Sequence, residues 1–295
     1  MTSLAFQRYT HASLGFGSLV SDAALSDLPN VIARFHSPRK HAMPYKKFSE
    51  AQIATLTQAI ERDGYAVLPN WASDKQLEEV QALVERSVVA AGNNYVALVG
   101  NEAVAGTPLQ EWGNSRDFVD LCQRIVARAT GHQPTETTLQ QTLRCLTGDG
   151  GQRESLIFHY DSFVLTTILP VCMPEEGESG DLLMLPGRRP LRSNYMLNLM
   201  DKILVDNPWV QRSLAKRFAN GSLKFTRVRM LPGNLYLFWG YRSLHTNLPV
   251  AHDGLRATAV FHYHNVHGSS SLAGRIRKSL RGLSHPGRRR GTTEA

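Results

Sequence analysis

A mainly β domain preceded by helices is the fold class the sequence predicts: an α+β arrangement in which an antiparallel sandwich or barrel carries its helices outside. Between Ser49 and Gly131 the apolar residues recur three and four apart, the spacing of helices with one buried face. From about Thr137 the pattern shortens to runs of Val, Ile, Leu, Thr and aromatic residues separated by Gly, Pro, Glu and Asn turns. Length agrees, because 295 residues at 42% apolar content fill one large core without forcing a division into domains.

The first 48 residues mix Gly, Pro, His and basic residues without sustained periodicity and read as an extension. Ser49 with Gln52 three residues on fits a capping box, and Ile53, Leu56 and Ile60 form the stripe of a first helix that Gly64 ends. "YAVLP" is a short strand. A second helix opens at Ser73 with Gln76 as capping partner and carries Leu77, Val80, Leu83, Val84 and Val88; "DFVDLCQRIVARATG" is a third, stopped by Gly131. Strands are then expected in "TTLQQTLRCL", "SLIFHYD", "FVLTTILPV", "DLLMLP", "KFTRVRM", "LYLFWG" and "RATAVFHYH". Residues 193–221, rich in Met, Leu, Ile and Trp, interrupt them as one or two inserted helices. A lid, a packing element or a dimer contact are the roles open to this insert.

The net charge of +8 is unevenly placed. Between Gly268 and Thr293 stand Arg275, Arg277, Lys278, Arg281, Arg288, Arg289 and Arg290 with no Asp or Glu, so all but one of the net positive charges belong to the tail. A nucleic-acid-binding surface on the main domain therefore has no compositional support. Residues 268–295 place Leu272, Ile276, Leu280 and Leu283 on one helical side with Arg and Lys on the others, the pattern of a basic amphipathic helix on an anionic membrane or of a disordered basic end. Three unpaired-looking cysteines, the lack of a secretory-type start and no apolar run near the ~18 residues of a membrane span make the expected location cytoplasmic, with peripheral membrane contact through the tail.

Chemistry concentrates in "ESLIFHYDSFVLTTILPV". His159 and Asp161 stand two apart in a strand-like run, so an imidazole and a carboxylate face the same way. "LPGNLYLFWGYRSLHTNLPV" supplies a third ligand, His245, expected just past a buried strand where a loop opens. Two His and one carboxylate on a β scaffold are the facial set that holds non-haem Fe(II) and leaves its other face for cosubstrate and O₂. Eleven residues after His245, Arg256 opens the strand "RATAVFHYH" and shares a face with Thr258, so a guanidinium and a hydroxyl can hold one carboxylate, such as the far end of 2-oxoglutarate.

The runs "FHYDSFVLTTILPVCMPEEGESGDLLMLPGRR", "VRMLPGNLYLFWGYRSLHTN" and "LRATAVFHYH" together resemble the Fe(II)- and 2-oxoglutarate-dependent dioxygenases, most closely their phytanoyl-CoA dioxygenase-like branch. The similarity spans roughly residues 64–264. It implies a double-stranded β-helix, a jelly-roll of cupin type, within a dioxygenase domain at 49–267. His159, Asp161 and His245 are then iron ligands, Arg256 with Thr258 is the 2-oxoglutarate anchor, and O₂ completes the set. The implied activity is hydroxylation of an unactivated C–H bond in a small-molecule or lipid-like metabolite, with release of succinate and CO₂. Pro186-Gly187 is followed by Arg188-Arg189 where the family often has Ser-His, and the insert is particular to this chain; both bear on substrate rather than on iron. A carboxylate at Asp161 disfavours halogenation, since related halogenases have a small residue there. The alternatives are a silent β-helix binding protein and a nucleic-acid demethylase.

His262, His264 and His267 read mainly as strand packing, although His262 and His264 share the face of Arg256. Gln140, Gln141 and Arg144 stand on a strand before the triad, one face of which should look into the barrel, and parity alone does not choose the face. Arg188, Arg189 and Arg192 read as a solvated charge run or as a contact for an anionic substrate.

Overall fold

Two capping boxes start the helices that flank the sheet. In the computed structural model, which describes residues 47–266 apart from 188, 191–194 and the side chains of 195 and 198, helix α1 runs Glu50–Asp63. The Ser49 hydroxyl accepts from the Gln52 N–H at 3.2 Å and the Gln52 side chain accepts from the Ser49 N–H at 2.8 Å. Gly64 closes α1 with φ 91, a left-handed conformation that costs glycine little. Strand β1 is Ala66–Leu68, and α2 (Asp74–Ala90) opens with the same box at Ser73 and Gln76. β2 (Val96–Val99), α3 (Pro108–Gly113) and α4 (Arg116–Thr130) follow, then β3 (Gln140–Leu146), α5 (Gly148–Arg153), β4 (Leu165–Cys172) and β5 (Leu182–Leu185). The insert forms α6 (Tyr195–Asp206) and α7 (Pro208–Ala219), and β6 (Thr226–Val228), β7 (Leu235–Phe238), β8 (Leu244–Asn247) and β9 (Arg256–Tyr263) follow among the described residues. The extension, the basic tail, His267, Arg188 and Arg192 lie outside the described residues.

Six strands make an antiparallel sheet in the order β1-β7-β4-β9-β3-β2, and three make a second in the order β6-β5-β8. A two-way backbone bridge between His159 and His245 adds the segment before β4 to the second sheet, beside β8. From β3 onward the chain therefore alternates between sheets: β3 in the large one, the His159 segment in the small one, β4 back in the large one. β5 and β6 then lie in the small sheet, β7 in the large, β8 in the small and β9 in the large. That alternation, with both layers antiparallel, is a double-stranded β-helix, the architecture expected.

Strand parity divides the large sheet into two faces. Leu143, Cys145, Leu165, Leu169, Leu235, Leu237, Ala259 and Phe261 point outward, and join Ile53, Val80, Leu83, Phe118, Leu121 and Ile125 of the helices in one buried cluster. Ile168, Tyr236, Phe238 and Val260 point inward and meet Leu182, Met184, Val228 and Met230 between the sheets. Pro170, in the middle of a central strand, is accommodated by a register shift between Pro170 and Cys172.

Three differences from the expected elements matter for the site. "SLIFHYD" is no regular strand: only the His159 bridge is sheet-like, because the chain must leave the small sheet there and cross to β4 in the large one. His245 lies within β8, not in a loop beyond a strand, so its backbone is fixed on both edges, by Met184 and by His159. The short elements β2, α3 and α5 have runs of four to six residues with no period to distinguish them. The insert is two helices, parted at Asn207, whose side chain accepts from the Trp209 N–H at 2.9 Å, with Pro208 at the first helical position. Among the described residues no helix is long and apolar enough to cross a membrane.

Candidate metal centre

Backbone pairing brings His159 and His245 together before their side chains are considered. The His159 N–H donates to the His245 carbonyl at 2.9 Å and the His245 N–H donates back at 3.0 Å, which leaves the two rings 4.3 Å apart. Asp161 enters from the following turn, its N–H bound to the Gly240 carbonyl at 3.0 Å. One ligand atom from each of the three residues falls within 4.8 Å of the others. The Asp161 carboxylate lies 3.8 Å from His159 Nε2 and 3.5 Å from His245 Nε2.

Both imidazoles are oriented for coordination. His159 Nδ1 sits 2.9 Å from the Ile157 carbonyl, and His245 Nδ1 sits 2.9 Å from the Ser243 carbonyl. A carbonyl accepts only, so each Nδ1 carries a proton and each Nε2 is turned toward Asp161. Although a third of the His159 side chain is open to the cleft, the surrounding walls and the His245 ring push its basicity down to about 3, leaving it neutral. Burial pushes the Asp161 carboxyl up, but His245, His262, His159 and the Thr166 hydroxyl outweigh it and hold the group below the usual carboxylate range. The donor set is thus a buried carboxylate and two imidazoles with backbone-anchored far nitrogens, which fits a divalent metal of the Fe(II) kind.

The carboxylate is held by contacts that the sequence reading missed. Thr166 Oγ1 donates to Asp161 Oδ2, and a β-carbon on Gly240 would collide with both the Asp161 carboxylate and the Thr166 hydroxyl. Glycine is therefore needed at 240 for close approach, which a lone Gly in "FWGYR" does not signal. His262 faces the same space: its Nδ1 is 3.2 Å from Thr166 Oγ1 and its ring stacks on Phe163 at 5.0 Å. His264, by contrast, lies beyond β9 with φ 61 and bonds Glu136 at 2.9 Å, away from the triad.

Arg256 and Thr258 lie deeper between the sheets, on the inward face of β9. Both are buried; Arg256 Nε donates to the Gly180 carbonyl at 2.8 Å and Nη1 reaches Thr258 Oγ1 at 3.4 Å. Among the described residues no carboxylate pairs with Arg256: Asp181 is engaged by Ser179 and by Arg227 at 2.9 and 2.7 Å. Burial and the charge of Arg144 push Arg256 down to about 9, with Asp181 opposing. A guanidinium buried without a carboxylate is costly, and an incoming carboxylate removes the cost. The register resolves the parity of β3, since Arg144 stands opposite Thr258 and Gln140 opposite His262, both facing inward. Gln141 faces the helices, packed where a β-carbon on Gly113 would stand.

Arg189 is no solvated charge. It is 5% exposed, its guanidinium lies 4.1 Å from the Tyr160 ring and 4.3 Å from the Tyr241 ring, and it bonds the Tyr241 carbonyl at 2.6 Å and Asp201 of α6 at 3.1 Å. Gln211 of α7 adds a second tie, accepting from the Phe158 N–H at 3.0 Å and donating to the Phe158 carbonyl at 2.7 Å. The insert is thereby clamped onto the segment that carries His159. Arg189→Met is expected to cost about 2–3 kcal/mol by removing the ion pair to Asp201 and emptying the tyrosine sandwich. Limited proteolysis should then cut residues 195–219 first; wild-type resistance in the variant would contradict the clamp.

No protein-family model and no curated protein matches the sequence. Among solved structures the chain is similar to the non-haem α-ketoglutarate-dependent epimerase SnoN of nogalamycin biosynthesis, at TM-score 0.47 and 13% identity over 73% of this chain and 82% of that one. The carbocyclase SnoK of the same biosynthesis gives TM-score 0.46 and 16% identity over 81% of this chain and 93% of that one. A Pseudomonas putida prolyl-4-hydroxylase gives 0.45 and 11% over 76% and 98%.

Proposed function

We propose that this chain is an Fe(II)- and 2-oxoglutarate-dependent oxygenase whose catalytic unit spans about residues 49–267. It is assigned the hydroxylation of an unactivated C–H bond in a small anionic or lipid-like metabolite, in which O₂ and 2-oxoglutarate are consumed and the hydroxylated product, succinate and CO₂ are formed. The observation that carries this reading is the pairing of an anchored His-Asp-His set with a buried, carboxylate-free Arg256 in one β-helix.

Fe(II) held by one side supplies, with 2-oxoglutarate and O₂, the oxidant for C–H cleavage. The chain's own residues do the rest. His159, Asp161 and His245 are assigned as ligands, and Thr166 and the two backbone carbonyls fix their orientation. Arg256 and Thr258 receive the far carboxylate of the cosubstrate. Phe238, packed edge-on against His245 at 4.9 Å, and Ile168 and Val260 keep the interior apolar and exclude water.

Substrate charge is suggested by Lys202, which α6 buries beside the triad. Its Nζ donates to Ser162 Oγ at 2.6 Å, one residue from Asp161, and burial lowers its basicity to about 8. An ammonium has three donors, and among the described residues one is used. The spare donors and the Ser162 O–H match the two oxygens of a carboxylate. For an acid that turns over, Lys202→Met is expected to raise KM by about tenfold or more with little change in kcat. The corresponding amide should lose nothing from the substitution; equal losses for acid and amide would remove this role.

The founding test is an anaerobic titration of the protein with Fe(II) and 2-oxoglutarate, followed by the visible metal-to-ligand charge-transfer absorption. The band is expected in the wild type and absent in His245→Ala. No band in the wild type would favour the silent binding protein instead.

A further inference from the structure

The outer side of the insert carries an apolar surface unlike any other on the described chain. Leu197, Met200, Ile203 and Leu204 of α6 are 47, 61, 44 and 63% exposed, and Trp209 at the start of α7 is 75% exposed. Positions 197, 200 and 204 are three and four apart and form one stripe. The other exposed large apolar residues outside α6 and α7, Val89, Ile157 and Leu231, are scattered in sequence. Five large side chains at an edge that water would otherwise wet call for an occupant.

Charge identifies it. The exposed charged residues of α6 and α7 are Arg212, Lys216 and Arg217; the two acids of these helices, Asp201 and Asp206, are only part-exposed, and Asp201 is tied to Arg189. Arg212 lies 5.0 Å over the Trp209 ring, a pairing suited to the headgroup level of a bilayer, where indole and guanidinium each keep an apolar body and a polar tip. A two-fold contact between copies would instead set this predominantly positive rim against itself. The same helix turns Lys202 inward to Ser162, so the apolar stripe lies on the outside of the element that borders the metal centre.

We infer that the α6–α7 insert is a membrane-docking element, which lays Leu197, Met200, Ile203, Leu204 and Trp209 into an anionic lipid surface while Arg212, Lys216 and Arg217 meet the phosphates. Docking itself does not depend on the iron assignment.

The test uses the full-length protein and vesicles of phosphatidylcholine with and without phosphatidylglycerol, read by co-sedimentation. Wild type is expected to partition onto the anionic vesicles, and Leu204→Gln/Trp209→Gln to lose about tenfold or more of that partitioning. Arg212→Gln/Lys216→Gln should lose the preference for anionic over neutral vesicles. The charge-transfer band of both variants, measured alongside, should match wild type, which separates failed docking from a failed oxygenase assignment. Three results overturn the inference: wild type that stays in solution, an apolar variant that binds as wild type does, so that the basic run at 268–295 or another surface is responsible, or a wild-type dimer in light scattering that Leu204→Gln/Trp209→Gln converts to monomer.

Discussion

Arg256→Met is expected to raise the 2-oxoglutarate concentration that half-develops the charge-transfer band by about a hundredfold, because a buried guanidinium facing a carboxylate contributes about 2–5 kcal/mol that truncation removes. Fe(II) affinity should stay within a few-fold of wild type, since Arg256 is not one of the three proposed ligands. Stability is expected to move the other way. With no carboxylate paired to it among the described residues, the Arg256 charge burdens the protein when cosubstrate is absent. A methionine of similar volume removes that burden, so without 2-oxoglutarate the variant should melt at or above the wild-type temperature. With saturating 2-oxoglutarate the wild type should gain in Tm and the variant should not. A variant that binds 2-oxoglutarate normally would displace Arg256 as anchor and turn attention to Arg144, the other inward cation on the neighbouring strand.

Much of this arrangement was legible in the sequence because its signals are local. Ser49 with Gln52 and Ser73 with Gln76 state their helix starts within four residues, and the strands β4 and β9 are long enough for their apolar content to dominate. The two-residue spacings of His159 with Asp161 and of Arg256 with Thr258 survive in the structure as shared directions, although the first pair does so from a bridge and a turn. What escaped is non-local. Arg189 stands in a basic run indistinguishable from a solvated one, and its burial depends on Tyr160, Tyr241 and Asp201, each distant in sequence. The choice between Gln141 and Arg144 follows from register against β9, which no single strand encodes. Lys202 lies on a helix whose outward stripe is apolar, the reverse of the usual rule, so periodicity alone points the helix the wrong way.

Gly240 offers the sharpest test of how the carboxylate is held. Its carbonyl receives the Asp161 N–H, and its α-carbon faces the Asp161 carboxylate and Thr166 hydroxyl so closely that a methyl group cannot be added without displacing one of them. The two cannot easily retreat, because Thr166 is fixed in β4 between Phe238 and His262, and the Asp161 side chain is 10% exposed. Gly240→Ala is therefore expected to lower Fe(II) affinity by about a hundredfold, the upper range for groups that orient metal ligands. Tm should fall as well, since overpacking a buried position costs about 1–3 kcal/mol. If the loss arises through Asp161, the double variant Gly240→Ala/Asp161→Ala should bind Fe(II) no worse than Asp161→Ala alone, a large non-additivity that only shared action produces. Additive losses would mean that Gly240→Ala acts elsewhere, through β8 and His245, and wild-type affinity in Gly240→Ala would mean that the carboxylate has room to move. The first result would also explain why the glycine stands where β7 turns toward β8: the strand that supplies the second imidazole must pass within atomic contact of the carboxylate proposed to share its metal.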